Sequence, residues 1–131
     1  MPPARARPLS PHFQVYRWQI GSTLSILHRI TGLLLAAGLF ALSYWLAALA
    51  GDAAGYRAAT RWFANPLGRL ILLGWTFAFF FHLLCGLRHL LWDIGLGFGR
   101  SERRASGWLA AAGACALTVG VWSLLWHFER L

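Results

Sequence analysis

Lysine is absent from this chain: all twelve basic residues are arginines, set against four acids for a net charge of +8. Charge of either sign is scarce, at 12% of the 131 residues, whereas a soluble domain carries about a quarter. That shortage excludes a chain with a polar face toward water along most of its length. The arginines fall between apolar runs and form no continuous stripe, so the electrostatic footprint of a nucleic-acid binder is missing. Cysteine occurs only as Cys85 and Cys115, both inside apolar runs and without CxxC spacing, which argues for neither a disulfide framework nor a thiolate metal site. No C-x-x-C-H is present to attach a c-type haem covalently. Met1–Gln19 holds four prolines and three arginines and lacks the apolar core of a signal peptide. There is no internal repeat and no low-complexity segment.

What the chain does contain is apolar: 58% of it is hydrophobic, with a mean hydropathy of +0.53. Crossing a bilayer takes roughly 20 apolar residues, and three runs are long enough. Ile30–Ala50 is uncharged, with an apolar lead-in from Ile20 to Leu27. Leu70–Leu87 has His82 as its only strongly polar member, and Trp108–Phe128 is uncharged apart from any protonation of His127. Backbone in hydrocarbon must satisfy its own hydrogen bonds, so each run is expected to be a helix. The expected fold is all-α and integral to the membrane, with three transmembrane helices in a single domain, 1–131. Its spans run over about 22–50, 67–93 and 106–128, preceded by an N-terminal segment, 1–21. Trp18, Tyr56, Trp62, Trp92, Trp108 and Trp126 stand near the run ends, as interfacial aromatic belts require.

Orientation follows from the arginines. Arg5, Arg7, Arg17, Arg29, Arg88, Arg100, Arg103 and Arg104 fall on one side, and Arg57, Arg61, Arg69 and Arg130 on the other. The richer side is expected to be cytoplasmic, which places the N-terminus inside and the C-terminus outside. Ala112, Ala116 and Gly120 recur at four-residue spacing and read as a stripe for close helix packing.

Ionisable groups within membrane spans are costly, and each is a functional candidate by default. Here they converge. Ser25, His28 and Arg29 stand near the cytoplasmic start of the first helix. His82, Arg88, His89 and Asp93 stand near the cytoplasmic end of the second, so antiparallel neighbours would bring both groups to one depth. His82 and His89 are two helical turns apart, about 10 Å along a shared face, with Gly86 between them leaving room for something flat. Ser25 and Arg29, four residues apart, also share a face. A deep imidazole beneath a ring of cations suits haem b: a neutral histidine nitrogen for iron, an apolar wall for the macrocycle, cations for the propionates. Plainer readings stand beside this one. His82 alone reads as readily as an interhelical hydrogen-bond partner, Ser25 as bonded back to its own helix, and Arg29 and Arg88 as snorkelling to lipid headgroups. His127 reads as an interface residue and His12 as solvated.

Two motifs carry a resemblance. Arg7-Pro8-Leu9-Ser10-Pro11-His12, followed by Ser25-Ile26-Leu27-His28-Arg29-Ile30-Thr31-Gly32, is similar to the N-terminal signature of the succinate dehydrogenase cytochrome b membrane-anchor family. His82-Leu83-Leu84-Cys85-Gly86-Leu87-Arg88-His89-Leu90-Leu91-Trp92-Asp93 resembles that family's second signature, H-x-x-x-G-x-R-H-x-x-W-D. The resemblance implies half of a two-subunit haem-binding helical bundle, with His82 as one axial ligand of haem b and the other ligand supplied by a second small anchor subunit. It implies that Ser25 and Arg29 border a ubiquinone site and that His28, Arg29 and His89 lie in the haem propionate region. Asp93 is either a proton relay to quinone, a cap at the helix exit or an arginine partner. Implied partners are the second anchor, an iron–sulfur subunit, a flavoprotein subunit and membrane lipid, in the bacterial inner (cytoplasmic) membrane. Three alternatives remain beside this reading. One is the anchor of a fumarate reductase, one a small histidine-containing transporter, and one a structural anchor without cofactor.

Overall fold

The computed structural model describes residues 18–128, and they form four helices: α1 (Ile20–Ala50), α2 (Ala53–Ala64), α3 (Pro66–Asp93) and α4 (Arg100–Phe128). The motif Arg7–His12, the arginines Arg5, Arg7, Arg17 and Arg130, and His12 lie outside the described residues. Helices α1, α3 and α4 are long and apolar enough to cross a membrane, as their composition predicts. Helix α2 is an addition to that expectation, too short to span.

Each helix start has a local cause. Asp52 accepts a hydrogen bond from the Gly55 amide at 2.6 Å and opens α2. Asn65 accepts from the Gly68 amide at 2.9 Å and opens α3, with Pro66 at its first position, where a missing N–H loses nothing. Asn65 also donates to the Trp62 carbonyl at 2.5 Å, so one side chain closes α2 and opens α3. Helix α4 begins at Arg100, well before residue 106, because Glu102 reaches back to accept from the Gly99 amide at 3.1 Å. This is the reverse half of a capping box. Helix α3 ends in a Schellman arrangement, with Gly95 N–H to Trp92 O at 2.8 Å and Leu96 N–H to Leu91 O at 2.9 Å. The left-handed residue this needs is Gly95, at φ 83°.

The three long helices run up, down and up, with α3 in contact with both others. Their core lies at one end, where Leu24, Phe81, Cys85, Ala110 and Ala114 pack together. Small residues let the helices close there. A Cβ on Gly107 would sit 2.6 Å from Leu24 Cδ1, so α4 lies directly on α1. The face α4 buries is Gly107, Ala110, Ala114 and Thr118. The expected packing stripe Ala112, Ala116 and Gly120 is exposed instead. It occupies the other side of a helix that is apolar all round, so composition could not choose between the two faces. At the far end α1 and α3 leave an apolar groove of about 860 Å³, lined by residues that include Gly38, Trp45, Phe63 and Trp75. Most large apolar side chains point outward, among them Leu33, Phe40, Leu109 and Val119, as expected where lipid or other helices replace water.

Candidate functional site

The closed end of the bundle gathers all three histidines of α1 and α3 together with several other polar side chains. The start of α1 brings Ser25, His28 and Arg29, and the end of α3 brings His82, Gly86, Arg88, His89 and Asp93. His28 is the centre of a stack of three imidazoles. Its ring lies 4.0 Å from that of His82, at 17° between planes, and 5.1 Å from that of His89, at 16°. The two α3 histidines share a face, and His28 enters between them from α1.

The hydrogen bonds around the rings decide their tautomers. His82 Nδ1 lies 3.1 Å from the His28 carbonyl oxygen. A carbonyl only accepts, so in the neutral ring Nδ1 carries the proton and Nε2 keeps its lone pair. Thr31 Oγ1 lies 3.3 Å from the same Nδ1. His89 Nδ1 is 2.6 Å from the carbonyl of Cys85, one turn back on its own helix, which leaves its Nε2 free likewise. His28 Nε2 is buried without a hydrogen-bond partner among the described residues. Buried polar atoms are seldom left in that state, so this one is a candidate contact for a bound group.

The surroundings differ along the stack. His82 is half-buried and packs against Gly32 of α1, where a Cβ would come within 3.0 Å of its Cε1. His89 is exposed and stands edge-on to Trp92 at 5.2 Å. Between them on α3, a Cβ on Gly86 would meet nothing within 4 Å, so the space over that glycine is open. Ser25, Arg29 and Asp93 are exposed.

Arg88 behaves otherwise than a cation of the site or a snorkelling side chain. It is buried in the α3–α4 seam at 6% exposure. Its Nε donates to Ser106 Oγ at 2.9 Å and its Nη2 to the Arg103 carbonyl at 3.0 Å, and the guanidinium lies 4.1 Å over the Trp92 ring. Trp92 in turn donates to the Gly97 carbonyl at 3.2 Å, so this tryptophan also ties down the helix exit. Sequence reasoning passed over Thr31 and Gly32. Their signal was present: three and four residues beyond His28, they share its face.

The stack is not a metal cluster of its own. No group of three or more histidine, cysteine or acidic side chains among the described residues is placed to hold one ion. The imidazoles meet face to face, so their lone pairs do not converge. What the arrangement offers is one half-buried imidazole with its Nε2 lone pair available, a buried orphan nitrogen, open space over a glycine, and an exposed hydroxyl and guanidinium one turn apart.

Residues 3–121 match the family described as succinate dehydrogenase/fumarate reductase transmembrane subunit. The chain is 39% identical over 117 residues to the succinate dehydrogenase cytochrome b556 subunit of Rickettsia felis, covering 88% of this chain and 90% of the relative. It is 40% identical over 113 residues to the subunit of the same name from Paracoccus denitrificans, covering 86% and 87%. To the mitochondrial succinate dehydrogenase cytochrome b560 subunit of Sus scrofa it is 37% identical over 107 residues, covering 77% and 61%.

Proposed function

The chain belongs to the family of succinate dehydrogenase/fumarate reductase transmembrane subunits, and from that premise we propose that it is the haem b-binding anchor of a succinate dehydrogenase. The observation that carries the reading is the His82 imidazole. Its Nδ1–H is engaged by a main-chain carbonyl of the neighbouring helix at 3.1 Å. Metal-ligating histidines have this arrangement, with the second nitrogen donating to a carbonyl or carboxylate so that the ligating one is fixed. Bound there, haem b supplies a one-electron carrier within the bilayer.

The rest of the site fits the same group. Of the three stacked histidines His82 lies furthest into its span from the helix end, so it is the axial ligand from this chain, and the other comes from a second small membrane anchor subunit. The orphan Nε2 of His28, with Arg29, suits the propionates, since carboxylates take charge-assisted hydrogen bonds from such donors, and His89 lies in the same proposed propionate region. Open space at Gly86 suits a flat macrocycle. Ser25 and Arg29, exposed at the same end, suit ubiquinone: a hydroxyl and a guanidinium donate to its carbonyls and stabilise the negative charge that reduction places there. Asp93, exposed at the last position of α3, would in this reading take up protons from the aqueous side.

The protein is a multi-pass membrane protein, and the proposed setting is the bacterial inner membrane with the N-terminus cytoplasmic. There it anchors the iron–sulfur and flavoprotein subunits, where succinate is oxidised, and completes the path of electrons to quinone. The test is the spectrum of the purified complex. His82→Leu should abolish or reshape the b-type absorption, whereas His89→Leu should at most shift potential or affinity. A parental spectrum in the His82→Leu complex would reject the assignment. Absence of b-type haem from the parent would favour a histidine-containing transporter or a cofactor-free anchor. An anchor of a fumarate reductase would give the same spectrum and differ in the direction of net electron flow.

A further inference from the structure

We propose that Thr31 and Gly32 are positioning residues for the His82 imidazole, a role that rests on the reading of His82 as the haem ligand. Thr31 is 5% exposed. Its Oγ1 lies 2.9 Å from the Leu27 carbonyl, 3.0 Å from the His28 carbonyl and 3.3 Å from His82 Nδ1. A hydroxyl has one proton, and both carbonyls can only accept it. The proton therefore goes to the helix backbone, and what Thr31 turns toward His82 is a lone pair. His82 Nδ1–H is shared between two acceptors, the His28 carbonyl at 3.1 Å and the Thr31 hydroxyl at 3.3 Å. The carbonyl cannot face a bare nitrogen lone pair, so it selects the tautomer that leaves Nε2 for iron, and the Thr31 hydroxyl, its proton given to the backbone, adds a second acceptor that holds the ring in place.

Gly32 sets the distance at which this is possible. A Cβ there would lie 3.0 Å from His82 Cε1 and 3.6 Å from Nδ1. To relieve that contact the ring would move away from α1, and both acceptors with it. Adjacent positions on one helix thus supply an acceptor and the clearance that lets the ligand reach it. Neither residue touches iron in this scheme. They act through His82, as the outer hydrogen-bond partners of metal-bound histidines do.

The experiment uses the assembled complex and four variants: Thr31→Val, Thr31→Ser, Gly32→Ala and His82→Leu. Removing such an outer partner typically weakens metal binding about 10–100-fold, and Thr31→Val, with the hydroxyl gone and the shape kept, is expected at the low end. An acceptor on Nδ1–H makes the imidazole a stronger donor and favours the ferric state, so its loss raises the midpoint potential. If ferrous affinity is unchanged, a tenfold loss of ferric affinity is about 59 mV for a one-electron couple. Thr31→Ser should restore potential and haem retention. Gly32→Ala should reproduce the Thr31→Val shift although no polar group is removed, and if it fails to assemble, the Thr31 pair decides. Parental potential and retention in Thr31→Val, or an equal shift in Thr31→Val and Thr31→Ser, would overturn the positioning role and reduce Thr31 to packing. The His82→Leu control separates this from the underlying reading: a parental spectrum there removes the ligand itself, whatever Thr31 does.

Discussion

Replacing Arg88 by lysine tests whether this cation serves the α3–α4 seam or merely a charged rim. Lysine keeps the charge, so a role toward lipid headgroups or propionates would survive the change nearly intact. The seam would not. Arg88 divides its fork between Ser106 Oγ at 2.9 Å and the Arg103 carbonyl at 3.0 Å while its plane covers Trp92 at 4.1 Å, and a point-like ammonium cannot reproduce all three. One interhelical hydrogen bond between membrane helices is worth about 0.6 kcal/mol on average and up to about 1.7. Loss of a stacked guanidinium adds roughly 0.5–1 kcal/mol. The expected cost is about 1–3 kcal/mol, a roughly 5–150-fold rise in opening of the seam. Cys85, one turn from Arg88 and 1% exposed, reports that opening. Its alkylation in the purified complex, followed by mass spectrometry, should accelerate by that factor in Arg88→Lys, while exposed Cys115 reacts at its parental rate. Ser106→Ala should give a smaller acceleration, and the double variant less than the two effects combined, because the two residues share one bond. Parental Cys85 protection in Arg88→Lys would refute the seam assignment.

Three further outcomes are expected. Ser25→Ala and Arg29→Leu should leave succinate oxidation by a soluble dye near the parental rate while ubiquinone reduction falls, by less than the 10²–10³-fold typical of a lost oxyanion donor because partner subunits supply others; equal quinone rates would leave both residues as packing or snorkelling groups. Reporter fusions after Leu131 and within residues 97–106 should read outside and inside respectively, and the reverse pattern would sink the orientation. Ala114→Leu should overpack the closed end of the bundle at a cost of about 1–3 kcal/mol, seen as faster Cys85 alkylation, whereas Ala112→Leu on the exposed face should leave that rate unchanged.

The candidate site was more legible in the sequence than the packing around it. His82, His28, Arg29 and Asp93 stood out because an ionisable group in hydrocarbon is expensive and therefore rare. Antiparallel α1 and α3 then bring the histidines together, with His28 between His82 and His89. The same reasoning misjudged Arg88, since residue type and depth do not say whether a guanidinium turns outward or into a neighbouring helix. Helix α2 went unread although Asp52 and the Asn65-Pro66 pair are ordinary helix-start signals. A search for spans passes over a segment of 12 residues, too short to cross a bilayer.

Packing was opaque for a reason particular to membranes. In water, a helix shows its buried face by contrast, apolar against polar, and the eye follows the stripe. Helix α4 offers no such contrast. Gly107, Ala110, Ala114 and Thr118 form one small-residue face and Ala112, Ala116 and Gly120 another, with apolar residues on every side. What decides between them is the neighbour each can approach. A Cβ on Gly107 would sit 2.6 Å from Leu24 Cδ1, and a Cβ on Gly113 would sit 3.0 Å from Leu84 Cδ1, contacts known only once three helices are placed together. Lipid is as apolar as leucine, so close van der Waals fit and a few interhelical hydrogen bonds, such as Arg88 to Ser106, select the interface. The face left over, Ala112, Ala116 and Gly120, is exposed among the described residues yet keeps the small side chains that close helix approach requires.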